Sequence, residues 1–127
     1  MVGETLHARH EFRELFTAEA VSLVNPDICV CGILEIRAIA AMAATYKVTV
    51  SPHNYNSMAF GTAISANTAA GISNLGLCEY FPELGDAWDE LWEGQPKPVD
   101  GALAIPTTPG FGITVDDGAI EKYRVKS

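Results

Sequence analysis

Basic residues are scarce in this chain. Eight Lys and Arg stand against sixteen Asp and Glu, a formal net charge of −8 with no run of basic side chains. That balance excludes the positive footprint that nucleic-acid backbones or anionic lipid headgroups require. Cysteine is scarce as well. Cys29, Cys31 and Cys78 are odd in number and their one close pair is spaced C-x-C, which matches neither a disulfide framework nor the common zinc-ligand spacings. They read as reduced thiols of a cytoplasmic protein. Long apolar runs are also missing. The most apolar stretch, Ile33 to Ala44, is interrupted by Glu35 and Arg37 and falls short of the roughly 20 residues that a membrane-spanning helix needs. Met1-Val2-Gly3-Glu4 has no basic segment leading into an apolar one, so no export signal is expected there.

What is present is enough for a core: 127 residues, 48% of them hydrophobic. Apolar runs alternate with helical patterns at a nearly fixed interval, the rhythm of repeated βα units. Met1 to Glu4 reads as the tail of a strand and Arg9 to Ala18 as a helix with Phe12, Leu15 and Phe16 on one face. Val21 to Val24 reads as a buried strand, followed by a loop bracketed by Pro26 and Gly32. Ile33, Ile36, Ile39, Ala40 and Ala43 then recur at helical spacing up to about Tyr46. A strand is expected at Val48 to Val50 and a helix from a Ser57 cap to about Ala70, with Ala59, Ala63, Ala66 and Ala70 permitting close packing. Gly71 is a natural stop before a strand at Leu75 to Cys78. Beyond Tyr80 the rhythm changes. Leu84, Trp88, Leu91 and Trp92 predict a short amphipathic helix over Glu83 to Glu93. A Gly- and Pro-rich stretch, extended at Ala102 to Ile105, and a last helix begun by Asp116 or Asp117 complete the chain. Residues 1–81 thus form the repeated units, and 82–127 a helix and wrap-around extension.

Glu4, Asp27, His53 and Glu79 each fall at or just beyond the C-terminal end of an expected strand. Their separations are 27 − 4 = 23, 53 − 27 = 26 and 79 − 53 = 26, one βα repeat each. Parallel strands of a (β/α) barrel deliver such residues to one face. A carboxylate beside an imidazole makes a general acid/base pair, and further carboxylates hold a hard cation or polarise a substrate oxygen. Each residue also has an ordinary reading: His53 as a structural histidine, Asp27 as a turn or cap residue after Pro26, and Glu4 and Glu79 as surface carboxylates.

The motifs around these positions resemble the enolase superfamily, in its mandelate racemase and muconate-lactonising branch. Asn25-Pro26-Asp27 with Cys31-Gly32-Ile33 and Glu35 is similar to the family's Pro-Asp, Gly-Gly-Ile and acidic helix start after the sixth barrel strand. Ser51-Pro52-His53-Asn54 resembles its Pro-His-Asn after strand seven, Leu77-Cys78-Glu79-Tyr80 its Leu-x-Glu-Tyr after strand eight, and Gly3-Glu4 the Gly-Glu ending strand five. Pro106 to Gly112 is similar to a Pro-x-x-Pro-Gly-hydrophobic-Gly motif near the family's C-terminus. Cys31 departs from the pattern, standing where the first of two glycines is usual. It is also a thiol nucleophile on paper, but no activating partner is apparent in the sequence.

The resemblance implies an α/β fold, the C-terminal half of a (β/α) TIM-type barrel (strands five to eight) with a C-terminal extension. An aspartate paired with a histidine marks the mandelate racemase subgroup, in which a proton α to a carboxylate is removed and Mg²⁺ stabilises the enediolate. It implies His53 as general acid/base, Asp27 as its orienting partner, Glu79 as a hydrogen-bond partner of the substrate carboxylate, and Glu4 as one of three Mg²⁺ ligands. A sugar acid is the expected substrate, with dehydration first and racemisation or epimerisation second. The capping domain, strands one to four, two further magnesium ligands and an opposing lysine-type base have no counterpart in these 127 residues. The expectation is a chain inactive by itself, completed by a missing barrel half or as a homo-oligomer. The other reading is a non-catalytic half-barrel assembly module.

Overall fold

The structure is a computed structural model that describes residues 1–55, 57–82 and 90–125. The repeated units are formed by α1 (Arg9–Thr17), β1 (Leu23–Val24), α2 (Ile28–Cys31), α3 (Ile33–Thr45), β2 (Thr49–Val50) and α4 (Met58–Ala69). Strands β1 and β2 pair in parallel, Leu23 with Thr49 and Val24 with Val50. Helix α3 makes the crossover that a parallel pair requires.

The helices bury the faces their spacing announces. Phe12 and Phe16 of α1 and Ile36, Ile39, Ala40 and Ala43 of α3 are buried, at i, i+4 and at i, i+3, i+4, i+7. They close over Val24 and Val50 in one core with Ile28, Val48 and Ile72, each large side chain contributing about 1.5–3 kcal/mol on burial. Gly32 ends α2 and begins α3 with φ of 78°, a left-handed conformation that favours glycine. Its neighbour Cys31 therefore needs no such freedom.

Several expectations are corrected. The segment between Pro26 and Gly32 is not a plain loop, because Asp27 caps the single helical turn α2 through a hydrogen bond from the Cys29 N–H at 2.6 Å. Ser57 stands at the N-cap position of α4 as expected, but its side chain makes no capping hydrogen bond and its hydroxyl is donated to Asn54 Oδ1. Ala69, rather than Ala70, is buried; Ala70 is already the C-cap. Leu75 to Cys78 and Met1 to Glu4 are not full strands. Leu75 makes one parallel bridge to Val50, and Val2 accepts a single bond from the Asn25 N–H. Among the described residues each of these segments bonds to one neighbour, so its backbone completes half a ladder. The order is nonetheless sequential: N-terminal segment, β1, β2, Leu75 segment.

In the C-terminal region, residues 83–89 of the expected helix lie outside the described residues. Trp92–Glu93 forms strand β3 instead of a helix end, paired antiparallel with β6 (Thr114–Val115). Between them β4 (Pro98–Val99) and β5 (Ala102–Leu103) form a hairpin. Its turn residues Asp100 and Gly101 have φ of 50° and 77°, the Asp-Gly signature of a tight hairpin turn. Phe60 of α4 stacks on Trp92 and meets Phe111 edge-on, seating the extension on that helix. Asp116 caps α5 (Asp117–Tyr123) through the Ala119 N–H. No described helix is long and apolar enough to cross a membrane.

Candidate active site

The four residues at the strand ends meet. Asp27 and His53 face each other as a parallel bridge, with the His53 N–H donating to Pro26 O at 3.0 Å. Pro26 fixes its own φ, and Asp27 is extended where α2 begins. This geometry turns the Asp27 carboxylate both ways. Oδ1 caps α2, while Oδ2 lies 2.7 Å from His53 Nδ1. Both side chains are largely buried, 10% and 19% exposed.

The other ring nitrogen faces outward. His53 Nε2 is 3.6 Å from Glu4 Oε2 and 3.7 Å from Glu79 Oε2, just beyond hydrogen-bonding reach. Glu4 and Glu79 are 55% and 42% exposed, so the ring is rooted in protein on one side and open on the other. Apolar cavities occur elsewhere. One of about 320 Å³ lies beneath the β4–β5 hairpin beside Cys78, and a more open one of about 740 Å³ lies between α2 and α4. Neither includes any of the four residues.

Two residues that carried no assigned role take part. Asn25 Nδ2 donates to Glu4 Oε2 at 3.4 Å, and the Asn54 N–H donates to Glu79 Oε2 at 2.7 Å. Both asparagines sit inside the quoted motifs, directly beside Pro26-Asp27 and His53. His7 and His10 are exposed, and the His7 N–H donates to Glu11 Oε2, a helix-start role. Cys31 donates its thiol to Leu6 O. Burial, and then the charge of Asp27, pushes that thiol up to about 11, the opposite of what a nucleophile needs. The loop carrying Glu4 is pinned further by Arg9, whose Nε and guanidinium nitrogen both donate to Glu35 at 2.9 and 2.6 Å.

These residues do not by themselves fit a magnesium site. Among the described residues no group of three or more His, Cys, Asp or Glu side chains is placed to hold a metal ion. One carboxylate such as Glu4 leaves Mg²⁺ short of the octahedral oxygens it demands. The chemistry these side chains offer by themselves is proton transfer at His53 Nε2.

The chain matches the family described as enolase C-terminal domain-like over residues 1–119. It is 36% identical over 126 residues to the D-xylonate dehydratase of Haloferax volcanii, covering 98% of this chain and 30% of that protein. With the arabinonate dehydratase of Saccharolobus solfataricus it shares 30% identity over 125 residues, covering 98% and 33%. A solved structure described as an L-alanine-DL-glutamate epimerase of Burkholderia xenovorans strain LB400, bound to magnesium and fumarate, superposes with a TM-score of 0.88 at 34% identity, over 94% of this chain and 30% of that one. The chain spans about a third of the length of the curated relatives it matches.

Proposed function

This chain belongs to the enolase C-terminal domain-like family, and on that premise we propose that it carries the proton-transfer half of an acid-sugar dehydratase site. The observation that carries the reading is the 2.7 Å contact between His53 Nδ1 and Asp27 Oδ2, with Nε2 turned toward Glu4 and Glu79. Asp27 accepts a hydrogen bond from Nδ1–H and so leaves the Nε2 lone pair on the open side. Nε2 takes the proton from the carbon α to the substrate carboxylate, and the electron pair of that bond passes into the carboxylate as an enediolate. The imidazolium rests against Asp27. It then gives its proton to the β-hydroxyl, which leaves as water as the C–O bond breaks.

Glu79 hydrogen-bonds the substrate carboxylate or its enediolate oxygen, a bond that needs one proton between the two carboxyl groups. Glu4 is the one carboxylate here that would hold a Mg²⁺, and the remaining ligands would have to come from outside these residues. The N-terminal segment, β1, β2 and the Leu75 segment correspond to strands five to eight of a TIM-type barrel, with residues 82–127 as the wrap-around extension. The substrate is a small sugar acid. By itself the chain turns none over, because a single carboxylate does not hold the metal.

A second reading, epimerisation, is favoured by the 34% identity to the structure described as an epimerase. There the proton returns to the α-carbon and no water is lost. Replacing the matched third of the Haloferax volcanii D-xylonate dehydratase with this chain separates the two. Formation of a 2-keto acid supports dehydration. A folded graft that inverts the α-carbon without losing water supports epimerisation, and a folded graft with neither activity overturns the proposal.

A further inference from the structure

We propose that Asn54 is a positioning residue that clamps Glu79 against the His53 ring, an inference that rests on the reading of Glu79 as a substrate-binding group. Asn54 is 2% exposed and spends every hydrogen-bonding group of its side chain. Nδ2 donates to Thr62 Oγ1 at 3.0 Å and to Glu79 O at 3.2 Å, and Oδ1 accepts from the Ser57 hydroxyl. The Thr62 hydroxyl donates its own proton to Met58 O at 3.1 Å. Its oxygen can therefore only accept from Asn54, which fixes the amide with Nδ2 toward Thr62 and Glu79.

The consequence falls on Glu79. Its carbonyl accepts from the Asn54 side chain and its carboxylate accepts from the Asn54 N–H at 2.7 Å, so one residue grips another at both backbone and side chain. The bond to the carboxylate is charge-assisted. Such a grip has a physical reason. Among the described residues the segment ending at Glu79 pairs with β2 on one side only, through one bridge made by the Val50 N–H to Asn74 O and Gly76 N–H to Val50 O bonds, with the Leu77 N–H to Ser51 Oγ bond beside it. A glutamate at such an edge, 42% exposed, would otherwise sample its rotamers freely.

Two described residues near Asn54 sit in confined geometry. Met58 adopts φ of 58° at the start of α4, an uncommon conformation for a non-glycine residue. Gly61 lets Ser57 lie so close that a Cβ there would stand 2.3 Å from Ser57 Cβ. Thr62 and Gly61 of α4 thus fix Asn54 from one side, and Asn54 fixes Glu79 on the other. Backbone strain that persists beside a site of chemistry is of the kind retained for positioning.

Isotope-labelled chain tests this without any turnover. Couplings across the Glu79 methylenes are expected to report one dominant rotamer in the parent chain and averaged rotamers in Asn54→Ala. The residue-54 amide should lose about tenfold of its exchange protection, while the Ser51 amide, bonded to Val24 O, keeps its own. Thr62→Val, which removes one anchor and leaves Asn54 in place, should give partial averaging. A single Glu79 rotamer persisting in folded Asn54→Ala overturns the proposal. If that variant does not fold, an unchanged rotamer in Thr62→Val overturns it. An immobilised Glu79 without a role in chemistry would leave this result intact and appear instead as an unchanged dehydration rate in the Glu79→Gln graft, so the two readings fail separately.

Discussion

Asp27 meets two demands with one carboxylate. Oδ1 receives the Cys29 N–H at the start of α2, and Oδ2 meets the His53 ring. The ordinary sequence reading, a cap after Pro26, and the pairing with His53 are therefore both present in the structure. Asp27→Asn separates them, because asparagine keeps a capping oxygen and loses the charge. Its expected effect on stability is within about 1 kcal/mol. Activity of the graft should fall by about 10⁴, the scale found when the carboxylate orienting a catalytic histidine is replaced by its amide. Thermal melting alongside kcat checks both halves. The four side chains that meet were legible as a set because their types and their separations of 23, 26 and 26 residues are explicit in the chain. Asn25 and Asn54 stood inside the quoted motifs without a role because an asparagine in a loop carries no signature of its partner until the backbone folds.

At the scale of elements, the helices α1 and α3 were legible because each has a contiguous apolar stripe, and a buried stripe is the cause of the helix's position. Strand ends were less so. A two-residue ladder with one neighbour leaves few backbone bonds, and apolar composition alone does not distinguish a full strand from a single bridge. The hairpin β4–β5 had a readable signal in Asp100-Gly101, whose turn chemistry the wider Gly- and Pro-rich composition obscured.

Two element-level predictions follow from contacts at the N-terminal loop. Gly3 has φ of 127°, and a Cβ there would lie 2.6 Å from Phe12 Cε1. Gly3→Ala is expected to cost about 1–3 kcal/mol, the usual range for overpacking against a rigid core ring; urea unfolding measures it. The second concerns Glu35. Its hydrogen bonds from Arg9, first from the side chain and then from the backbone, hold its carboxyl at about 2 against an ordinary 4.5. The folded value is depressed, so the stability it contributes is present above the unfolded value and is lost as pH falls from about 4.5 through about 2. Urea midpoints over that window should decline less steeply in Arg9→Met, which loses the side-chain bonds and keeps the backbone one. An identical decline in both proteins would remove Arg9 as the cause.

For the whole molecule, the described residues place four strand positions in sequential order and leave apolar side chains on the surface. Leu77 is 78% exposed, and Val2 and Leu75 are partly so. The βα rhythm was legible from the sequence because it is a local repeat. The separation between lineage and activity lies at this scale: His53 and Asp27 are assembled here, and a complete metal site is not among the described residues. The most direct test is deuterium incorporation at the carbon α to a sugar-acid carboxylate in D₂O with Mg²⁺. The account predicts incorporation or turnover by the graft, its loss in His53→Asn, and none by the 127-residue chain itself. Incorporation by the isolated chain, or by a graft that retains it after His53→Asn, would contradict the account.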